Sequence, residues 1–233
     1  MNFFLKTIKK EIKHTGKVTL NDHEILFYGS NRVCYLHPSY PSKLIKTARH
    51  PQNWSKDHSQ SFLEWYISKR IIASAIDCQI ALCRTWVNTN KGPGLVVDRI
   101  ANSKGHSFTL RDFLFNKKIT VEQALKLVEE IIINLSYIGI PASDFNIDNF
   151  VFKEDNSHKI IMVDGFAPKK PSFKTYLIIS SKKLSNHYTK RKWKQAKSRF
   201  IFCAQKVYSG EYGFAAATPL HETSPEFSDD TLQ

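Results

Sequence analysis

The chain has 233 residues, 42% of them hydrophobic, and a formal net charge of +13 from 34 Lys and Arg against 21 Asp and Glu. A chain of this length and composition can bury a core, which excludes global disorder and favours one domain or two small lobes. Its longest apolar stretches are interrupted by charge or are shorter than the about 20 residues of a membrane span, and the first residues lack the apolar segment of a signal peptide. We therefore expect a soluble, cytoplasmic protein.

The N-terminal part of the chain is predicted to form a sheet with one helix. Runs rich in β-branched and aromatic residues are separated by turn residues such as Gly29 and the stretch NTNKGPG, which is the pattern of strands and hairpins. Apolar side chains then recur at helical spacing over residues 57–76, which predicts a helix after the third strand. The predicted strands are residues 18–28, 31–36, 43–47, 82–88 and 94–100.

The rest of the chain is predicted to be mainly helical. Thr120 and Gln123 have the spacing of a capping box and precede an apolar stripe that ends before Gly139, which predicts a long helix. Two further helices are predicted at residues 109–115 and 186–207, and a short hairpin at residues 149–153 and 159–164. We predict an α+β protein with a bilobal outline. Its parts are a β-rich N-lobe (1–97), a reduced, mainly helical C-lobe (98–210) and a disordered acidic tail (211–233).

Acidic and amide side chains surround the predicted hairpin, in the stretch SDFNIDNFVFKEDNSHKIIMVDGF. Turn chemistry alone explains each of Asp144, Asp148, Asn149 and Asp164, because Asp and Asn bond their own backbone in loops. A calcium loop is disfavoured, because Asn149 replaces the glycine of an EF-hand loop and Asp155 replaces its bidentate Glu. The third interpretation, phosphoryl transfer, also explains the spacing of the acids.

Phosphoryl transfer requires an acid that positions or deprotonates the acceptor hydroxyl, together with an Asn and a second Asp that hold Mg²⁺. Asp144, Asn149 and Asp164 follow one another in that order. A hairpin between Asn149 and Asp164 would bring all three to one end of its strands. The stretch therefore predicts a catalytic loop followed by a metal-binding Asp.

The upstream chain supplies the other residues of a kinase-like site, which are a strand Lys and a helix Glu that orients it. Lys46 lies in the third predicted strand and Glu64 in the helix that follows it. Two alternatives remain open at this point. Lys46 can be an edge-strand lysine, and Glu64 can complete a capping box with Ser61.

A nucleotide in this arrangement would lie between the lobes. Its phosphates would meet the turn at Gly29 and the side chain of Lys46, and its base would lie against the segment that joins the lobes. The apolar strand that ends at Val97, Asp98 and Arg99 is the candidate for that segment, with backbone groups that can hydrogen-bond adenine.

The sequence resembles the bacterial YrbL proteins of the PhoP regulatory network, a divergent branch of the protein-kinase-like fold. The matching stretches are YGSNRVCYLHP, LIKT, FLEWY, GPGLVVDRI, TLRDFL, DFNIDNFVF and VDGF, which together span roughly residues 25–205. The resemblance implies ATP and Mg²⁺ as cofactors, with Lys46 and its helix partner Glu64 at the phosphates. It also implies Asp144 as the catalytic Asp, and Asn149 and Asp164 as the metal residues.

Some residues depart from the usual kinase pattern. The phosphate loop has one glycine, Gly29, where kinases have three, and Ala142-Ser143 stands where His-Arg precedes the catalytic Asp. Two functions therefore remain open: an ATP- and Mg²⁺-dependent phosphotransferase, and a pseudokinase that binds partners without turnover.

The positive charge is concentrated near the C-terminal end. Residues 165–210 contain twelve Lys or Arg and no Asp or Glu, whereas residues 211–233 contain five acids and no Lys or Arg. The basic segment predicts an anionic acceptor, which can be a protein, a glycolipid or a small molecule, and peripheral association with an anionic membrane. Binding of nucleic acid is a weaker alternative, because no base-reading motif accompanies the charge.

Overall fold

The computed structural model describes residues 2–13, 15–29, 31–50, 54–75, 78–153 and 159–211. The predicted far turn of the hairpin at residues 154–156 lies outside the described residues, and so does the predicted acidic tail beyond residue 211.

A six-stranded sheet forms the N-terminal half of the protein. Its strands are β1 (Lys17–Val18), β2 (Ile25–Tyr28), β3 (Arg32–Leu36), β4 (Lys43–Ala48), β5 (Cys83–Thr89) and β6 (Gly92–Asp98). Their order is β1-β5-β6-β4-β3-β2, and every neighbouring pair is antiparallel except β1 with β5. Because β4 lies between β3 and β6, the interpretation of Lys46 as an edge-strand lysine is wrong.

The predicted strand at residues 18–28 is instead two separate strands. β1 pairs with β5, and a 3-10 turn at Asp22–Glu24 then leads into β2. Between them, Leu20 N donates to Asn90 Oδ1 at 2.8 Å and Asn90 Nδ2 donates to Leu20 O at 3.0 Å. A side-chain amide thus satisfies backbone groups that a strand partner would otherwise satisfy. The partner is 70 positions away in the chain, so no local pattern indicates it.

The described residues also form six α-helices. They are α1 (Asn2–Ile12), α2 (Trp54–Ser74), α3 (Leu110–Phe115), α4 (Val121–Ile138), α5 (Phe173–Ser180) and α6 (Lys182–Tyr208). α2 begins at Trp54, so Ser61 and Glu64 lie inside the helix, and the capping-box interpretation of this pair is wrong. The capping box at Thr120 and Gln123 is confirmed, and α4 ends at Gly139, which has a φ of 84°. None of the helices is both long enough and apolar enough to cross a membrane, among the residues that the structure describes.

The main apolar core joins the inner face of the sheet to the helical half. Residues of α2, β5 and β6 share one buried cluster with residues of α3, α4 and α6. The hairpin of β7 (Phe150–Phe152) and β8 (Ile160–Met162) is buried, and one side of it joins this cluster. It contacts the first half through the Ile80–Met162 bridge. A smaller cluster covers the outer face of the sheet. The predicted hairpin is confirmed, and both of its strands are anchored by the core.

We expect Leu135→Ala, on the buried face of α4, to lower the free energy of unfolding by about 2–5 kcal/mol. The side chain is fully buried, so its truncation leaves a cavity. Ile133→Ala, which removes a side chain from the exposed face of the same helix, is the control and should change the value by less than about 0.5 kcal/mol. Urea denaturation of both variants measures the difference, and equal losses would contradict the described burial.

Candidate active site

The polar residues predicted from the sequence converge on the three residues that follow β8, Val163 to Gly165. Val163 N donates to Asn149 O at 2.8 Å, and Lys46 Nζ donates to Val163 O at 3.0 Å. Asp144 N donates to Gly165 O at 3.2 Å. The structure therefore brings the central strand β4, the loop before β7 and the end of β8 into direct contact.

Gly165 allows the closest of these approaches. Its φ is +81°, a left-handed conformation that side chains disfavour. A Cβ at this position would lie 2.6 Å from Asp144 Cβ and 2.7 Å from Asp144 O. The order Asp-Gly in place of Asp-Phe-Gly thus allows the loop that carries Asp144 to lie directly against the residue after Asp164.

Glu64 pairs with Arg32, not with Lys46, which differs from the predicted pairing. Arg32 Nη1 lies 2.7 Å from Glu64 Oε2, and Arg32 Nη2 also contacts Asp164 Oδ1. Glu64 is fully buried and Arg32 is 6% exposed. Among the described residues, the hydrogen-bond acceptor of Lys46 Nζ is the carbonyl of Val163. The Lys46–Glu64 ion pair of the kinase pattern is thus replaced by an Arg32–Glu64 pair.

Sequence reasoning missed Arg32 as a site residue. The arginine lies in YGSNRVCYLHP, one of the stretches that carry the family resemblance, but nothing in that stretch assigns it a contact. Its position gave one indirect signal. In a strand that starts directly after the predicted phosphate turn, a charged residue on the core-facing side requires a buried partner.

Two additional N–H donors contact the carboxylate of Asp164. Gln60 Nε2 lies 3.1 Å from Asp164 Oδ1 and also 3.2 Å from Glu64 Oε1. The backbone N–H of Gly165 donates to the same Asp164 oxygen at 2.6 Å. Together with Arg32, these donors all contact Oδ1, and 33% of the Asp164 side chain remains exposed. The second oxygen, Oδ2, is therefore the atom that can bind a ligand.

The electrostatics of the buried cluster favour ionised Asp164. Burial alone would raise its pKa, but the positive charges of Arg32 and Lys46 outweigh burial and hold the pKa well below its ordinary value. For Glu64 burial is the larger effect, so its pKa is raised despite the adjacent Arg32. Burial lowers the pKa of Lys46, but the charges of Asp164 and Glu64, with a contribution from Cys34, together raise it above the usual lysine value. Asp164 thus remains an anion that can hold a cation.

Asp144 lies at the open side of this cluster. Its Oδ2 is 3.1 Å from Lys169 Nζ, and 38% of its side chain is exposed. Asn149 Nδ2 donates to Asp144 O at 3.1 Å, so the side-chain oxygen of Asn149 is the atom that can act as a ligand. Asp148 is instead paired with Arg111, with an Oδ1–Nε distance of 2.6 Å. The carboxylate of Asp148 thus already has a cationic partner, which agrees with the expectation that this stretch is not a calcium loop.

At the other predicted nucleotide contacts, Gly29 and residues 97–99, the backbone N–H groups of Gly29, Asp98 and Arg99 already have hydrogen-bond acceptors within the protein. Gly29 N donates to Arg32 O at 2.8 Å, so Gly29 lies in a tight turn. The N–H groups of Asp98 and Arg99 donate to Leu82 O and Ser42 O, each at 2.9 Å. The side chain of Asp98 pairs with Lys43 and Arg84, and Val97 is buried within β6. Adenine contact by the backbone of 97–99 stays a prediction, and it would have to use carbonyl groups at Asp98 and Arg99.

The donor set fits Mg²⁺ better than a metal that requires a full protein cage. Among the described residues, no group of three or more His, Cys, Asp or Glu side chains could hold a metal ion. Mg²⁺ keeps several waters and is commonly bound by one or two carboxylates plus substrate phosphates. An exposed Asp164 oxygen and the Asn149 amide oxygen are oxygen donors of the required kind.

The N-terminal half of α6 packs against the Asp144 loop, and another face of this helix carries a cationic groove. Thr189 Oγ1 donates to Ile140 O at 2.8 Å, and the ring of Trp193 lies 5.5 Å from that of Phe145. Burial raises the pKa of Tyr188 on the same helix, while its hydrogen bond with Ser143 and the charges of Arg191 and Lys169 lower that pKa. A groove of about 530 Å³ is lined by Lys183, Asn186, His187, Lys190, Arg191 and Lys194.

A central-strand lysine, a buried helix glutamate, and a D-x-x-x-x-N loop followed by a hairpin that ends in Asp are the residue types of a kinase-like site, in the same chain order. The predicted α+β architecture is confirmed. A family model described as PhoP regulatory network protein YrbL matches residues 18–200, and the chain belongs to this family.

Comparisons with individual proteins add little detail. No curated protein matches the sequence. Among solved structures, the chain is similar to one described as the crystal structure of Rad53 1-466 in complex with AMP-PNP, with 11% sequence identity and a TM-score of 0.44. The match covers 84% of this chain and 49% of that chain, so the protein spans about half the length of that structure.

We expect Gly165→Ala to be much more destabilising than Gly210→Ala. The two glycines have φ values of +81° and +78°, but an added Cβ would meet Asp144 only at Gly165, since nothing lies within 4 Å at Gly210. Both substitutions cost about 1–2 kcal/mol for the left-handed backbone, and Gly165→Ala should cost about 1–3 kcal/mol more through overpacking. Urea denaturation measures the difference. Equal losses would show that the loop of Asp144 does not lie against Gly165.

We expect the Asp164→Asn variant to lose less stability on acidification than the wild type loses. The folded-state pKa of Asp164 lies below its unfolded value, so its contribution is present above the unfolded pKa of about 3.9 and is lost as pH falls further. Thermal unfolding at about pH 5 and about pH 3 should show a smaller fall in Tm for the variant than for the wild type. An equal or larger fall in the variant would contradict the ion pairing of Asp164.

Proposed function

We propose that the protein is an ATP- and Mg²⁺-dependent phosphotransferase. The observation that carries this proposal is the contact of residues from three parts of the chain at Val163 to Gly165. Lys46 and Asn149 contact Val163, and Asp144 contacts Gly165. Asp and Asn residues placed only for turn chemistry would not require a buried central-strand lysine beside them.

Each residue has a chemical task in the proposed reaction. Lys46 would neutralise nucleotide phosphates, because its ammonium group lies at the end of β8 and donates to a neutral carbonyl there. Asp144 would position the acceptor hydroxyl and accept its proton, since its carboxylate is partly exposed beside the cluster. Lys169, paired with that carboxylate, would hold it in place until the acceptor binds.

Asp164 and Asn149 would hold Mg²⁺ by their side-chain oxygens. A metal held there would supply positive charge beside the nucleotide phosphates. The contribution of this chain is to keep Asp164 ionised and to orient both ligands from the ends of one buried hairpin.

The acceptor in this proposal carries negative charge. The groove on α6 is lined by Lys183, Lys190, Arg191 and Lys194, and Tyr188 connects the same helix to the loop of Asp144. An anionic acceptor would be attracted to the protein by this charge. The same charge supports peripheral association with an anionic membrane as a second consequence.

One observation favours the alternative of a pseudokinase without turnover. Arg32 forms an ion pair with Asp164, so a cation already neutralises the carboxylate that a metal would otherwise neutralise. The turn at Gly29 also offers a single glycine in place of a glycine-rich cradle. Under this alternative the protein binds nucleotide or a partner, and no phosphoryl group is transferred.

A thermal-shift titration with millimolar ATP and Mg²⁺ tests nucleotide binding. A ligand that binds the folded state at about 100 times its Kd stabilises it by about 2.7 kcal/mol, which corresponds to a rise of several degrees in Tm. We expect this rise in the wild type, its loss in Asp164→Asn and its retention in the control Asp148→Asn, whose carboxylate pairs with Arg111. No rise in the wild type would contradict both nucleotide-based functions.

Turnover separates the enzyme from the pseudokinase. We expect the wild type to release or transfer the γ-phosphate of radiolabelled ATP, and Asp144→Ala to reduce this activity at least about a hundredfold while the thermal shift is kept. Asp148→Ala provides the control for a neighbouring acid in the same loop. A wild type that is stabilised by ATP but shows no more turnover than Asp144→Ala would support the pseudokinase.

A further inference from the structure

Arg32 lies at the centre of the candidate site although no predicted role includes it. Its guanidinium group contacts three side chains from two other parts of the chain. Nη1 lies 2.7 Å from Glu64 Oε2 and 3.2 Å from Ser61 Oγ, and Nη2 contacts Asp164 Oδ1. The strand that follows the phosphate turn is thus connected through one side chain to helix α2 and to the end of β8.

The contacts of Arg32 select one oxygen of Asp164. Arg32 Nη2, Gln60 Nε2 and Gly165 N all contact Oδ1, which leaves Oδ2 as the oxygen without an N–H donor among the described residues. Metal-binding carboxylates are commonly oriented in this way, by hydrogen bonds to the oxygen that does not bind the metal. The fixed carboxylate would therefore present a single oxygen towards the nucleotide.

A lysine could not replace Arg32 in this arrangement. A guanidinium group is a rigid planar fork that can donate to two carboxylates in fixed directions, whereas an ammonium group is a point charge on a flexible stem. Arg32 uses its two terminal nitrogens for different carboxylates. Lys46, the other cation in the cluster, is then not required by Glu64 and remains available for phosphates.

We propose that Arg32 is the positioning residue of the metal site. It holds Asp164 by Oδ1 and Glu64 by Oε2, and so sets the direction of Asp164 Oδ2 and connects helix α2 to that carboxylate. This inference rests on the proposed function, because it assigns a metal to Asp164. It goes beyond that function by giving the partner of the helix Glu, which is the strand lysine in the kinase pattern, as an arginine on the neighbouring strand.

Titration of Mn²⁺ in the presence of a non-hydrolysable ATP analogue tests the proposal, because electron paramagnetic resonance measures free and bound Mn²⁺ without turnover. We expect Arg32→Gln to weaken Mn²⁺ binding by about tenfold to a hundredfold, the usual effect of removing a group that orients a metal ligand. Arg32→Lys keeps the buried positive charge but not the fork, and we expect it to weaken binding by a smaller factor that is still at least about threefold.

The control is Arg70→Gln. Arg70 lies on α2, and its guanidinium donates to the carbonyl of Ile179 in the helical half. It therefore connects α2 to that half without a contact to Glu64 or Asp164. We expect this variant to bind Mn²⁺ like the wild type. Arg32→Lys keeps the test decisive if Arg32→Gln does not fold, because it leaves no buried carboxylate without a cation.

The results separate this proposal from the function on which it rests. If the wild type binds no Mn²⁺ with the nucleotide analogue, the proposed function fails and the positioning role fails with it. If the wild type binds Mn²⁺ and the Arg32 variants bind it equally well, the positioning role alone is overturned. Tighter binding in the Arg32 variants would also overturn it, because Arg32 would then be a competitor of the metal.

Discussion

The contact of Arg32 with Glu64 and Asp164 is the interaction on which the candidate site depends. It joins β3, helix α2 and the end of β8, which are separated by 32 and 132 positions along the chain. Burying these charges is costly, and the cost is offset only when every charge has a partner. Here the guanidinium has two carboxylates, and the carboxylates share further donors in Gln60 and Gly165. Removing one member would leave the others buried without compensation.

The same ion pairs explain the charge state of the site. Arg32 and Lys46 together balance Glu64 and Asp164. Burial raises the pKa of Glu64, whereas the charges of Arg32 and Lys46 hold the pKa of Asp164 low despite its burial, so Asp164 remains an anion. Ionisation at the edge of a buried cluster is the property that a metal ligand requires, and it results here from the position of the two cations.

The apolar core holds the loop that faces this cluster. The buried hairpin fixes the distance between Asn149 and Val163, and α6 supports the preceding loop through Trp193 and Thr189. The buried face of α6 therefore positions the loop of Asp144, while its opposite face is basic. One helix thus serves both the fold and the proposed attraction of an anionic acceptor.

Most of the architecture could be predicted from local patterns. Alternating and β-branched runs located β3, β4, β5 and β6, and the capping box located the start of α4. The patterns failed where a distant partner decides the conformation, as at Leu20, whose backbone is bound by Asn90. α1 and α5 were also missed. α5 contains β-branched and aromatic residues in FKTYLIIS, and its helix is set by the Ser172 cap and by packing on α6.

The same distinction between local pattern and distant partner applies to the candidate site residues. Asp144, Asn149, Asp164, Lys46 and Glu64 were identified by residue type and order, and the structure brings them into one connected cluster. Their partners could not be identified, because a pairing between a strand and a helix depends on side-chain direction and not on spacing. For this reason the predicted partner of Glu64 was Lys46, whereas the structure pairs it with Arg32.

The most direct test of the proposed metal site is a crystal structure of the protein grown with Mn²⁺ and a non-hydrolysable ATP analogue, in which anomalous scattering locates the metal. We expect the metal at bonding distance from Asp164 Oδ2 and the side-chain oxygen of Asn149, with Arg32 still bound to Asp164 Oδ1 and to Glu64. A metal bound elsewhere, or Arg32 displaced from Asp164 when the metal binds, would contradict this assignment.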